Sequence, residues 1–176
     1  EDVKVPWERV FTHNHAALSR EIYFQTPSHA MGNHQSNVRF GEKLKLILGI
    51  ARKSAELNNV VQVPAVRDTL GRLAASEAGL QAMISGQIEE AEELIPGHFS
   101  VNRRLMYGAL HWCTQNYADL CETVRELMGA GPFQMPADVS VINNPELKEK
   151  FETYWSVPGQ SAIERMKFLK MGWDLL

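Results

Sequence analysis

Cysteine is scarce, with two residues among 176. Cys113 and Cys121 lie eight positions apart in one helical pattern, roughly 12 Å along a helix axis, which no disulfide within that helix could span. This excludes a disulfide-stapled secreted scaffold. It points to reduced thiols in a cytoplasmic setting, with both cysteines serving as small buried apolar side chains. Long apolar runs are missing too: none approaches the ~18 residues of a membrane span, and Glu1-Asp2-Val3-Lys4 reads as neither a signal nor a transit peptide. There is no block of Lys and Arg, and the formal net charge of -3 gives no pull toward nucleic acid or anionic lipid. Internal repeats and low-complexity tracts are absent. What remains is 44% hydrophobic and 22% charged, the balance of one domain with a real core and a small-molecule or protein partner.

Helical periodicity dominates. Asn14 to Gln25 reads as a short helix, and Pro27 separates it from a longer one that takes Ser28 as N-cap and runs to Asn58-Asn59. From Pro64, residues Val66, Leu70, Leu73, Glu77, Leu80, Ile84, Ile88, Ala91 and Ile95 keep helical spacing until Pro96-Gly97. A further helix, Ser100 to Met128, carries Leu105, Ala109, Trp112, Leu120, Val124 and Leu127, and Gly129-Ala130-Gly131-Pro132 stops it. A long loop, 129–144, precedes a helix from Pro145 to Trp155, and Ser161 caps a last one containing Ile163, Met166, Phe168, Leu169 and Trp173. Long amphipathic helices with short breaks pack most economically as an antiparallel four-helix bundle, an all-α fold. Both ends read as cut. Val3 and Val5 alternate as in a strand, and Met166 to Leu176 stops inside a helical pattern without a terminator.

Four of the six histidines, His13, His15, His29 and His34, fall in the amino-terminal third. Between Ser28 and Arg39 the chain offers His29, Asn33, His34, Gln35, Ser36 and Asn37, all neutral hydrogen-bonding groups, with Arg39 the only charge. A solvated helix face is normally built from Lys and Glu. This stretch is therefore expected to be partly withdrawn from water, where each group needs a partner: the polar ring or phosphate of a ligand, a subunit interface, or one another. Thr12-His13-Asn14-His15 lies where an extended segment hands over to a helix. His-x-His without Cys ligands at suitable spacing is a weak metal signal, and no metal is assigned. A histidine accepting a proton near neutrality is the better chemistry. His98 is expected in a surface loop and His111 on a helix. Glu77, a carboxylate on an apolar stripe, is either a buried base or the partner of Arg103, Arg104 or Arg125. Gly129 and Gly131 offer bare backbone N–H groups to a pyrophosphate, or simply a helix C-cap.

Four stretches bear a family resemblance. Val5-Pro6-Trp7-Glu8-Arg9-Val10-Phe11, His34-Gln35 followed by Val38-Arg39, Gly129-Ala130-Gly131, and Arg165 to Leu175 together resemble, in order, the 4-hydroxyphenylacetate 3-monooxygenase and chlorophenol monooxygenase family. These are the oxygenase components of two-component phenol monooxygenases. The stretch 12–40 looks nearer to the chlorophenol and nitrophenol enzymes. The resemblance implies an acyl-CoA-dehydrogenase-like carboxyl-terminal helical domain over 12–176, entered from a β domain ending at residues 1–11, and assembly as a homotetramer. It implies reduced FAD supplied by a separate flavin reductase, O2 adding to the flavin as a C4a-hydroperoxide, and oxygen transfer to a phenol. It further implies that His13 or His15, with His13 preferred, sits beside flavin and phenol as the catalytic histidine. His34, Gln35 and Arg39 would contact the flavin or an interface, and Gly129 and Gly131 would lie near the adenine-diphosphate part of this flavin or of one in a neighbouring subunit. Because the family draws most of its flavin and phenol contacts from domains outside this stretch, the segment alone is expected to be inactive.

Three other readings stand beside it. A 4-hydroxybutyryl-CoA dehydratase would need a cluster-binding Cys in residues 28–40, which contain none. An acyl-CoA dehydrogenase would need a catalytic Glu that has no evident place. A non-catalytic helical oligomerisation module would use the polar stretch as an interface and bind no flavin.

Overall fold

The computed structural model describes residues 2–176 and is mostly helical. Seven α-helices follow in order: α1 Ala16–Gln25, α2 Pro27–Leu57, α3 Pro64–Glu89, α4 Arg103–Met128, α5 Ser140–Asn143, α6 Pro145–Trp155 and α7 Ala162–Leu175. Between α3 and α4 stand two short strands, β1 Glu92–Ile95 and β2 His98–Ser100, paired antiparallel. Among the described residues no helix is long and apolar enough to cross a membrane. The chain divides into two compact units, Glu1–Phe40 with Leu80–Cys113, and Gly41–Gly79 with Thr114–Leu176, so that α2, α3 and α4 each contribute residues to both.

In the first unit the strand expected from Val3 and Val5 is absent. Among the described residues, 2–6 form no strand pairing, both valines are exposed, and the regular structure before α1 is a 3-10 turn at Trp7–Arg9. Alternation marks a strand only where a neighbour completes its ladder. α1 begins two residues later than Asn14, because Asn14 takes a left-handed φ of +53° and His15 becomes the N-cap. α2 starts at Pro27, one residue before the expected cap. Proline in the first helical turn forfeits no hydrogen bond, and Thr26 Oγ1 accepts from the Ser28 N–H at 3.4 Å.

The largest departure follows Glu89. The helix expected to reach Ile95 stops, since Glu89 and Glu90 place negative charge at the negative end of the helix dipole. Residues 92–100 turn back as a hairpin instead. Gly97 supplies φ +78° at its tip, its N–H donates to Glu93 Oε1 at 2.8 Å, and the pairing slips between Glu93 and Ile95. α4 therefore starts at Arg103 rather than Ser100, with Asn102 Oδ1 accepting from the Leu105 N–H at 2.9 Å. Leu80, Ile84, Gln87, Met106, Ala109 and Cys113 are buried here, together with Ala30, Asn37 and Val101.

In the second unit α2 buries Leu44, Ile47, Ala51, Ser54 and Ala55 at three- and four-residue steps. The buried stripe of α4 runs through Leu120 and Val124, as expected, together with Cys121 and Met128, while Leu127 is half-buried. Gly129, at φ +65°, ends α4 as expected. The loop 129–144 is not structureless: it holds a 3-10 turn at Gly131–Gln134 and the four-residue α5. Asn144 caps α6 through Oδ1, and Ser161 caps α7 in a reciprocal box with Glu164. Glu77 is half-buried and forms no ion pair with Arg103, Arg104 or Arg125 among the described residues. Its charge adds instead to a set of influences on Lys45, whose ammonium is held above its usual range first by the hydrogen bond to Glu42.

Candidate functional site

The amino-terminal half of α2 brings the neutral polar groups of 28–40 to the first unit. Ala30 and Asn37 face fully inward, His29, Asn33 and His34 are half-buried, and Gln35, Ser36 and Arg39 point to solvent. The amphipathic face is thus polar on its buried side, an arrangement that demands partners. His34 Nδ1 meets Gln87 Oε1 of α3 at 2.8 Å. One turn on, Asn37 Nδ2 donates to the Met106 carbonyl of α4 at 3.0 Å. Two buried polar atoms stay unpartnered beside these bonds, Asn37 Oδ1 and Gln87 Nε2, and Ser100 Oγ and Arg103 Nε are further cases in the same unit. An unpaired buried donor or acceptor costs about 1–3 kcal/mol, so this corner of the fold holds unused hydrogen-bonding capacity.

Beside it, His29 is ringed by aromatics. Its centroid lies 4.8 Å from that of Tyr23, 5.0 Å from Phe24 and 5.7 Å from Tyr107, and it is hydrogen-bonded to the Tyr107 hydroxyl. Arg103 reaches the Phe24 carbonyl at 3.5 Å, at the far edge of hydrogen-bonding distance. These contacts hold α1, which buries no residue of its own.

The two histidines of the 12–15 loop are placed differently. His15 is the N-cap of α1: Nδ1 accepts from the Leu18 N–H at 3.0 Å, which requires a neutral ring with its lone pair on Nδ1. Thr12 Oγ1 and Ser19 Oγ, 2.5 Å apart, fasten the same turn. His13 is exposed, its ring edge-on to Trp7 at 4.9 Å. Both lie in the first unit with His34, Gln35 and Arg39.

Gly129 and Gly131 belong to the second unit, and each has a local reason to be glycine. Gly129 carries the left-handed turn after α4, while the carbonyls of Leu127 and Met128 are satisfied by Asn58 Nδ2 at 2.9 and 3.1 Å. Gly131 is buried, and a Cβ there would stand 2.8 Å from Leu169 Cδ1 of α7. A cleft of about 640 Å³ in this unit lies among Asn58, Gly159, Gln160 and Arg165 and involves none of the sequence candidates. Its arginine is already committed, donating to Asn58 Oδ1 and the Trp155 carbonyl at 3.2 Å each and lying 4.9 Å from the Trp155 ring centroid.

Gln87 and Tyr107 join the candidate residues only in three dimensions. Gln87 does leave a trace: it falls on the inward stripe of α3 after Leu80 and Ile84, where a polar side chain must find a buried partner. Tyr107 leaves none, for its meeting with His29 depends on where α4 begins. No group of three or more His, Cys, Asp or Glu able to hold a metal occurs among the described residues. Among the described residues the arrangement leaves neutral donors and acceptors, and no charged cluster, around His34.

The helical architecture defines the class first. Its backbone superposes with a TM-score of 0.91 on a crystal structure of the oxygenase component, HpaB, of 4-hydroxyphenylacetate 3-monooxygenase complexed with FAD and 4-hydroxyphenylacetate, at 24% identity over 99% of this chain and 36% of that one. A 4-hydroxybutyryl-CoA dehydratase from N. maritimus shares the same fold, with a TM-score of 0.85 at 16% identity over 97% of this chain and 34% of that one. The family itself is settled by sequence. Residues 19–176 match the family described as HpaB, 4-hydroxyphenylacetate 3-hydroxylase C terminal, and the chain belongs to it. The 4-hydroxyphenylacetate 3-monooxygenase oxygenase component of Klebsiella oxytoca is 22% identical over 177 residues, covering 100% of this chain and 34% of that protein. The chain thus spans about a third of the length of the curated relatives it matches.

Proposed function

We propose that this chain is the carboxyl-terminal helical domain of the oxygenase component of a reduced-FAD-dependent phenol monooxygenase. The match of residues 19–176 to the hydroxylase family carries the reading. Curated relatives that match along the chain bear monooxygenase names, which favours the monooxygenase over the dehydratase, a likeness of fold at 16% identity. The neutral, half-buried face of α2 supports it from the physical side. The half-buried His34 stands on this face beside the buried amides of Asn37 and Gln87, neutral surroundings suited to a polar ring rather than to a metal or a bare phosphate. The whole protein would act in the cytoplasm as a homotetramer, receive reduced FAD from a flavin reductase, and act on 4-hydroxyphenylacetate or a chlorinated phenol.

When bound, reduced FAD supplies the oxygen chemistry: one atom of O2 enters the phenol ring and the other leaves as water. The chain's own residues bind, orient and handle protons. His34, Gln35 and Arg39 would contact the cofactor from α2. Of the loop histidines, His13 is the one for the phenol, because His15 already spends Nδ1 on capping α1 whereas the His13 ring makes no hydrogen bond among the described residues. His13 would hold the substrate as phenolate, which enriches the ring in electrons where oxygen arrives, and take up the phenolic proton. Gly129 and Gly131 would serve the adenine-diphosphate end only through their backbone, since their Cα positions are fixed by the turn and by Leu169.

The test is turnover by the full-length protein with a flavin reductase, NADH, FAD, 18O2 and a panel of phenols. One 18O atom in a catechol-type product is expected. No hydroxylation of any phenol, with FAD still bound, sinks the monooxygenase reading, and no FAD binding at all favours the oligomerisation module. His13→Ala is expected to slow hydroxylation while leaving FAD affinity largely intact. The 176-residue chain by itself is expected to be inactive.

A further inference from the structure

We infer that Gln87 is a positioning residue that fixes His34 in one tautomer and so determines what kind of ligand atom α2 can bind. The inference rests on the cofactor reading of His34 given above. Gln87 is fully buried on α3, and its Oε1 lies 2.8 Å from His34 Nδ1. An amide oxygen only accepts, so Nδ1 carries a proton, and in the neutral ring the lone pair is on Nε2. Nε2 has no hydrogen-bond partner among the described residues, and the ring is half-buried, so the lone pair is open to an incoming group. That group must be a donor: an N–H or O–H, not a carbonyl or a phosphate oxygen.

The surroundings argue that this orientation is held rather than incidental. The Gln87 carbonyl accepts from the Asn102 N–H at 2.9 Å, pinning the last turns of α3 to the segment leading into α4. Asn37, three residues along α2 from His34 and so on the same face, is pinned to the Met106 carbonyl of that same helix. His34 therefore stands among buried groups whose backbones are tied together, and no charged partner competes for Nδ1. A neutral histidine with a fixed acceptor nitrogen suits an N–H of a polar heteroaromatic ring. It would not discriminate in favour of a phosphate.

The experiment uses the full-length protein labelled with 15N-histidine, with the His34 signals assigned by their loss in His34→Gln. The ring 15N shifts should show the Nδ1–H tautomer in the wild type. They should show mixed tautomers in Gln87→Met, which keeps the volume but lacks the acceptor, and return toward Nδ1–H in Gln87→Glu. An Nε2–H tautomer in the wild type overturns the inference without need of any variant, and so does a tautomer indifferent to Gln87→Met. FAD affinity, measured in parallel, separates the two readings. Gln87→Met and His34→Gln should each weaken binding roughly three- to tenfold, and the double variant no further than His34→Gln alone. The expected tautomer with unchanged FAD affinity upholds the positioning by Gln87 and overturns the assignment of His34 to the cofactor.

Discussion

Gly129 and Gly131 are two residues apart and resist a methyl group for unrelated reasons. At Gly129 the obstacle is the backbone: φ +65° puts the Cβ of any L-residue close to its own carbonyl, a penalty of about 1–2 kcal/mol. At Gly131 it is the neighbour, because Leu169 is fully buried and its Cδ1 would lie 2.8 Å from the new atom. Overpacking of that kind costs about 1–3 kcal/mol. Gly129→Ala and Gly131→Ala should therefore both lower the urea midpoint, while Gly129→Asn recovers part of its loss and Gly131→Ala adds little further loss in a Leu169→Ala background. An unchanged midpoint for Gly131→Ala would contradict the close approach of α7 to this loop.

Single side chains also decide how elements are joined. Asn58, just past the end of α2, donates to the last two carbonyls of α4 and accepts from Arg165 of α7, so one amide links three helices. Its removal strands those carbonyls and the guanidinium together. Asn58→Ala is expected to cost about 1–3 kcal/mol, and hydrogen exchange should speed up first in the last turn of α4. Asn58→Asp should fare no better at neutral pH, since a carboxylate faces the negative end of α4. If exchange in that turn is unaffected, the amide is not its cap. Element ends of this sort separate what the sequence reveals from what it conceals. The caps at Asn144 and Ser161 and the stop at Gly129 are local chemistry and were legible. The end of α3 was not, because Ala91 and Ile95 continue the apolar spacing and only the dipole penalty on Glu89 and Glu90, together with pairing to residues 98–100, overrides it. The face of α4 was read correctly at Ala109, Leu120 and Val124, but Leu105, Trp112 and Leu127 look like core where the fully inward positions belong to Met106, Cys113 and Met128.

For the molecule as a whole, burial of Cys113 ties stability to alkaline pH. Burial pushes its thiol from an ordinary 9.0 up to about 11. The folded protein thus keeps this proton at pH values where the unfolded chain has lost it, and stability should fall as pH rises from about 9 toward 11. Chemical denaturation across that range is expected to show a slope that Cys113→Ala reduces, on top of a pH-independent loss from the smaller side chain. An equal slope in both proteins would place the alkaline sensitivity elsewhere. The partly buried polar face of α2 was legible in the sequence. Residues 28–39 announced themselves by lacking charge, whereas Gln87 and Tyr107 reach them across 53 and 78 residues, a distance that no local pattern encodes. The hairpin between α3 and α4 has a practical consequence. Its tip, Pro96-Gly97, is exposed and bonded only within the turn, and it stands outside the groups gathered around His34. A fluorophore or affinity tag spliced there would report on the domain while leaving its helices and its histidines untouched.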